Sequence, residues 1–154
     1  MKRWLYLAAL AAAVLVLGDR SAGVDIGKLQ PVQVVAMSYR DGQICLRTDT
    51  GDMGLGRDLD SALADMKERA AAQIFLDTAE HVIVAPACED LIGGLAGILR
   101  PSCAICMGQG VDLPQAAAYL QVHKPQTTLM EYRAGDRALP TLIQMEEGMV
   151  LVSG

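Results

Sequence analysis

Aromatic side chains are scarce in this chain: one Trp, one Phe and four Tyr among 154 residues. Trp4 and Tyr6 fall within the first eighteen residues, so the remainder has Phe75 and three tyrosines with which to fill an interior. Its core must therefore be aliphatic, built from Val, Leu, Ile, Ala and Met. Basic clusters are lacking too. Lys and Arg total 13 against 18 Asp and Glu, a formal charge of −5, and no basic patch follows residue 18. Binding a phosphate backbone needs clustered Lys and Arg, so a nucleic-acid partner is not expected. The acidity itself speaks only for solubility. There are two histidines, His81 and His123, more than forty residues apart, and no G-x-S-x-G elbow stands ready to use either as a base.

The first eighteen residues read as a secretory leader, either a cleaved signal peptide or a retained N-terminal anchor, rather than as part of the fold. Lys2 and Arg3 form a basic start, Trp4 to Leu17 is uninterrupted and apolar, and Val16 and Gly18 suit cleavage before Asp19. The run is short for a membrane span, which needs roughly 20 apolar residues. Losing Lys2 and Arg3 would take the charge from −5 to −7. Residues 19–30, polar and glycine-containing, read as a tether. Residues 31–154 suffice for a single domain with a real core.

That domain is organised around residues 81–110. His81-Val-Ile-Val-Ala-Pro86 is a short β-branched run. From Cys88 to Arg100, Leu91, Ile92, Leu95, Ile98 and Leu99 recur at helical spacing, and Pro101 ends the pattern. Ser102 to Met107 is a second apolar run. Strand, helix, strand predicts a right-handed βαβ unit with parallel neighbouring strands, covered on both faces. Upstream, Val32 to Tyr39 and Ile44 to Thr48 flank Asp41-Gly42, the signature of a hairpin turn with positive φ at both central residues. Thr50 to Gly56 reads as a flexible loop. It lacks the Lys-Ser/Thr that completes a phosphate cradle. Asp58 is placed to cap a helix with Leu59, Ala62, Leu63, Met66 and Ala70 on its apolar stripe. Asp112 caps another, with Pro114 in its first turn. Thr127 to Tyr132 reads as a strand, and Leu139–Met145 and Met149–Val152 pair across Glu146-Glu147-Gly148. The expected fold is α/β, a mixed sheet with helices packed on it in the order β-β-α-β-α-β-α-β.

Cys103-Ala-Ile-Cys106 is the sole motif with a catalytic association. A redox C-x-x-C sits at a helix start, where the dipole lowers the first thiol's pKa. Here it lies within a strand pattern, so the two side chains point to opposite faces, roughly 10 Å apart, beyond disulfide reach. Buried core thiols are the simpler reading. Cys45 and Cys88 are singles, whereas four-Cys zinc sites come as two close pairs. Which cysteines form disulfides is left open. His81 reads as a hydrogen-bonded histidine at a strand end. Glu89 and Asp90 sit where carboxylates favour a helix N-terminus. The residues thus assign no catalytic group, no metal ligand set and no cofactor.

Gly56-Arg-Asp-Leu-Asp-Ser-Ala-Leu-Ala-Asp-Met66, His81 opening an apolar strand, Gly93 within a helix and Arg100 at its end follow the exported leader and hairpin. This order resembles the N-terminal domain of the Ger(x)C family, the C subunits of spore germinant receptors, over roughly residues 25–122. The resemblance implies a non-enzymatic, extracytoplasmic part of a membrane-associated germination complex at the cell or spore membrane. Three features depart from it. Asp19 stands where the family's lipid-bearing Cys follows the leader, so no lipid anchor is expected. Glu80 replaces the Gly before His. A stand-alone first domain, without the family's two further domains, is expected. Two rival expectations are an exported thiol-disulfide protein using Cys103 and Cys106, and an exported small-ligand module. The latter's site would lie at the strand carboxyl ends, near Pro86-Ala-Cys88 and Gly108-Gln-Gly110.

Overall fold

The computed structural model describes residues 31–135 and 138–153; the expected leader and tether lie outside the described residues. The Asp-Gly signal folds as the sequence predicts. Strand β1 (Val34–Arg40) and strand β2 (Gln43–Thr48) pair antiparallel from Arg40↔Gln43 to Val35↔Thr48. At the turn between them Asp41 has φ 52° and Gly42 φ 77°. A β-branched residue at Gly42 would be forced into the left-handed region at a cost of about 1–2 kcal/mol. Gly42→Val is expected to lower the urea midpoint accordingly, and an unchanged midpoint would contradict this turn.

The glycine-rich segment expected as a loop is instead strand β3 (Met53–Gly56), paired antiparallel with β2. Helix α1 (Leu59–Arg69) returns directly over it. A Cβ on Gly54 would run into the Ala62 carbonyl oxygen and come within 2.6 Å of the Met66 Cβ, and one on Gly56 would overlap the Ala62 nitrogen. The glycines are there for close helix–strand approach. Asp58 caps α1 by accepting from the Ser61 N–H at 2.7 Å, and this bond lowers the Asp58 pKa. The Asp65 carboxylate accepts the Leu55 N–H at 2.8 Å and pairs with Arg69 at 2.8 Å. The Leu55 N–H first, and Arg69 after it, hold its carboxyl below the usual range.

Strand β4 (His81–Val84) is buried at every position, the pattern of a strand covered on both faces. The segment after it departs from the regular helix expected up to Arg100. A 3-10 turn over Pro86–Leu91 leads into one α-turn, α2 (Ile92–Leu95). Gly93, Gly94 and Gly97 keep the apolar spacing but withhold helix propensity. Strand β5 (Ala104–Met107) then pairs parallel with β4, completing the βαβ unit. Helix α3 (Leu113–Val122) starts at Asp112, whose carboxylate accepts the Gln115 N–H at 2.9 Å.

The strand expected over Thr127–Tyr132 is a helix, α4 (Leu129–Ala134). Thr128 and Glu131 close a capping box, the Thr128 N–H donating to Glu131 Oε2 at 2.9 Å, and Gly135 ends the helix at φ 77°. Two local caps outweigh the β-propensity of Thr, Leu and Tyr. Only a single antiparallel bridge, Ala104↔Thr128, remains of that pairing. Strands β6 (Thr141–Met145) and β7 (Gly148–Val152) form the expected terminal hairpin.

The seven strands form one mixed sheet in the order β3-β2-β1-β4-β5-β6-β7, with β1, β4, β5 and β6 parallel. The fold is therefore α/β with helices packed on a mixed sheet, as the sequence predicts, and its element order differs from the expected one by the added strand β3 and by helix α4 in place of the strand over Thr127–Tyr132. One face carries α1, α2 and α4 over Val35, Met37, Leu46, Val82, Val84 and Ile105. The other carries α3 over Val34, Ile83, Cys106, Leu142 and Met149. Each such aliphatic side chain contributes about 1.5–3 kcal/mol on burial, so the aliphatic core compensates for the lack of aromatics. The end strands are not bare: β3 has Asp65 on its Leu55 N–H, and the Leu151 N–H of β7 donates to the Tyr119 hydroxyl at 3.2 Å.

Candidate functional site

Strand alternation decides the chemistry of Cys103 and Cys106. Cys103 packs with Ile105 in the core beneath α1, α2 and α4, while Cys106 packs with Ile83 beneath α3. The two thiols therefore lie on opposite faces of the sheet, as the strand reading requires. Both are buried, and burial pushes each thiol up to about 12. Arg100 and Lys124 act on Cys103 in the opposite direction without offsetting its desolvation. The nearest acceptors are distant: Cys103 Sγ lies 3.8 Å from the Ala104 carbonyl oxygen and Cys106 Sγ 3.9 Å from that of Val82. Such thiols are neutral and shielded, the opposite of a reactive thiolate.

Cys45 and Cys88 are buried as well, and all four cysteines are free thiols. Burial also raises the Cys88 thiol, with Asp90 adding to the effect. Among the described residues no three His, Cys, Asp or Glu side chains gather as metal ligands would. Glu89 accepts from the Tyr132 hydroxyl at 3.1 Å, which ties the 3-10 turn to α4.

His81 corrects the sequence reading. It is 1 % exposed, and neither Nδ1 nor Nε2 has a hydrogen-bond partner. Desolvation lowers its pKa, with Glu80 opposing and Lys124 reinforcing that shift. The strand-end position gave no hint of this burial. His123 is exposed and stacks on Tyr119 with ring centroids 4.4 Å apart. His81 pairs in register with Ala104 of the C-x-x-C, whereas His123 lies at the exposed end of α3.

At the carboxyl ends of β4 and β5 lies a shallow cleft of about 460 Å³, bordered by Pro86, Gly108, Gln109, Gly110 and β6 residues from Thr141 to Gln144. This is where the sequence located a ligand module. Its lining holds no charged side chain, and the Gln144 Oε1 is already taken by the Asp112 N–H at 2.7 Å. One feature escaped the sequence reading. Ile143, Met145, Val150 and Val152 are 43–59 % exposed on one side of the β6–β7 hairpin, while Leu142, Met149 and Leu151 pack on the other. Among the described residues, no helix is long and apolar enough to cross a membrane. Comparison of the chain with protein-family models, curated proteins and solved structures finds no match.

Proposed function

We propose that this chain is a non-catalytic interaction domain acting outside the cytoplasm as part of a membrane-associated protein complex, similar to the first domain of the Ger(x)C germination subunits. The observation that carries this reading is the treatment of the reactive groups. All four thiols lie behind aliphatic side chains, where they serve packing rather than chemistry. The basic pair Lys2-Arg3 and the apolar run behind it support export, and Asp19 in place of a lipidated Cys leaves the leader or the partners to hold the domain at the membrane. The thiol-disulfide alternative loses support from the raised Cys103 and Cys106 pKa values. The cleft beside Gly108-Gln-Gly110 favours a small-ligand module as the second reading.

Fusing residues 1–25 to a reporter active only outside the cytoplasm should give an active reporter. The full chain, gently extracted from membranes, should migrate as an assembly larger than a monomer. A cytoplasmic, inactive fusion together with a monomeric full chain would rule the reading out.

A further inference from the structure

We propose that His81 is a proton-operated latch: on taking up a proton it lifts the last turn of α3 and the segment that follows, residues 121–127, off the amino-terminal ends of the parallel strands. His81 stands in a row with Val34 of β1 and Ala104 of β5. Strand alternation puts its ring on the same side as Ile83, Val34 and Cys106, the side that α3 covers. Helix α3 begins after β5 at the carboxyl ends of the strands and runs back to their amino ends, so its last turn closes over His81. Several bonds fasten that closure, among them Thr127 Oγ1 donating to the Ala138 carbonyl oxygen at 3.1 Å. The Gln121 side-chain amide donates to Gln33 Oε1 at 2.7 Å, and the Ile105 N–H donates to the Thr127 carbonyl oxygen at 2.8 Å.

The ring is 1 % exposed and both nitrogens are unpartnered. A neutral imidazole tolerates that poorly; an imidazolium, with two N–H donors and a full charge, tolerates it far less. Among the described residues no carboxylate is bonded to it. Glu80, next to it in sequence, favours the charged form but is exposed and does not offset the burial. From the segment after α3 comes Lys124, of the same sign as the imidazolium. From β5 come Ala104 and the Cys106 thiol, which is neutral in its apolar setting. The α3 side chains Ala117 and Leu120, Gln33 and the β1 residue Val34 carry no charge. A protonated His81 therefore needs water. The cheapest way to admit water is to move the segment above it: residues 121–124 are exposed, Val122 by 78 %, whereas β4 is locked between two strands.

The direction in pH follows from burial. The closed form holds the histidine below its ordinary value, so the open form binds more protons once the pH falls beneath about 6.5. Closure is complete above that value. It is lost as pH falls, approaching tenfold in the open-to-closed ratio per pH unit, until the closed form itself titrates.

Amide hydrogen exchange of the full chain at pH 7.5 and 5.5, corrected for intrinsic rates, tests this. Protection over residues 118–127 should fall at pH 5.5 while the amides of β4 and β5 hold theirs. His81→Phe and His81→Gln, two replacements that differ in polarity, should remove the acid response in whichever folds. His123→Gln should leave it intact. Unchanged wild-type protection, the same acid loss in a folded His81 variant, a response abolished by His123→Gln, or a loss spread evenly over the central strands would each overturn the proposal.

Discussion

Gly54→Ala is expected to remove about 3 kcal/mol or more of stability, since the added methyl meets backbone rather than a side chain that can step aside. Against a total of about 5–15 kcal/mol for a domain, that leaves a substantial unfolded fraction. Gly93 supplies the matched control. It sits in α2, exposed, with no atom within 4 Å of where its Cβ would stand. Gly93→Ala should therefore be neutral or stabilising by about 0.5–1 kcal/mol. Urea denaturation of the two variants compares them directly. Equal midpoints would mean that α1 does not dock on β3 at the distance described. The contrast depends on the site, since the substitution is the same.

The second large effect concerns thiol reactivity. With Cys103 and Cys106 pushed up to about 12 against an ordinary value near 8.5, the thiolate fraction at neutral pH drops about a thousandfold or more, before shielding is counted. Iodoacetamide should label neither in the native protein and should label both on unfolding. Replacing the pair with alanine should cost about 1–2 kcal/mol through small cavities. Rapid native labelling of either residue would restore the oxidoreductase reading and remove the main support for a non-catalytic domain.

What could be read from the sequence was whatever local chemistry decides. Asp41-Gly42 dictated its turn, and Asp58 and Asp112 announced their helices. The β-branched run from Val82 to Val84 could only be a strand covered on both faces. Misreadings arose where a residue's role depends on something distant in sequence. Gly54 and Gly56 spell a loop until α1 is laid across them. Gly93, Gly94 and Gly97 interrupt a helix that the apolar spacing alone suggests. Residues 127–132 have strand propensity, yet Thr128-x-x-Glu131 was a legible capping box that propensity obscured. Of the candidate site, the opposite-face placement of Cys103 and Cys106 followed from period-two alternation alone. The unpartnered state of His81 did not, because it follows from burial in the folded chain.

The two ends of the sheet bear on how this molecule behaves at high concentration. A strand at a sheet margin offers its unpaired amides to any neighbouring chain, and repetition of that contact builds fibrils. Here a helix side chain occupies an amide on each terminal strand: Asp65 on Leu55, and Tyr119 on Leu151. The first is an acceptor with a charge, the second a neutral hydroxyl on a strand whose outer side chains include Val150 and Val152. The protection is thus unequal. Acid strong enough to protonate Asp65 weakens one margin, while the other depends on a single uncharged bond beside an apolar surface. Fibril growth, where it begins, should begin at β7.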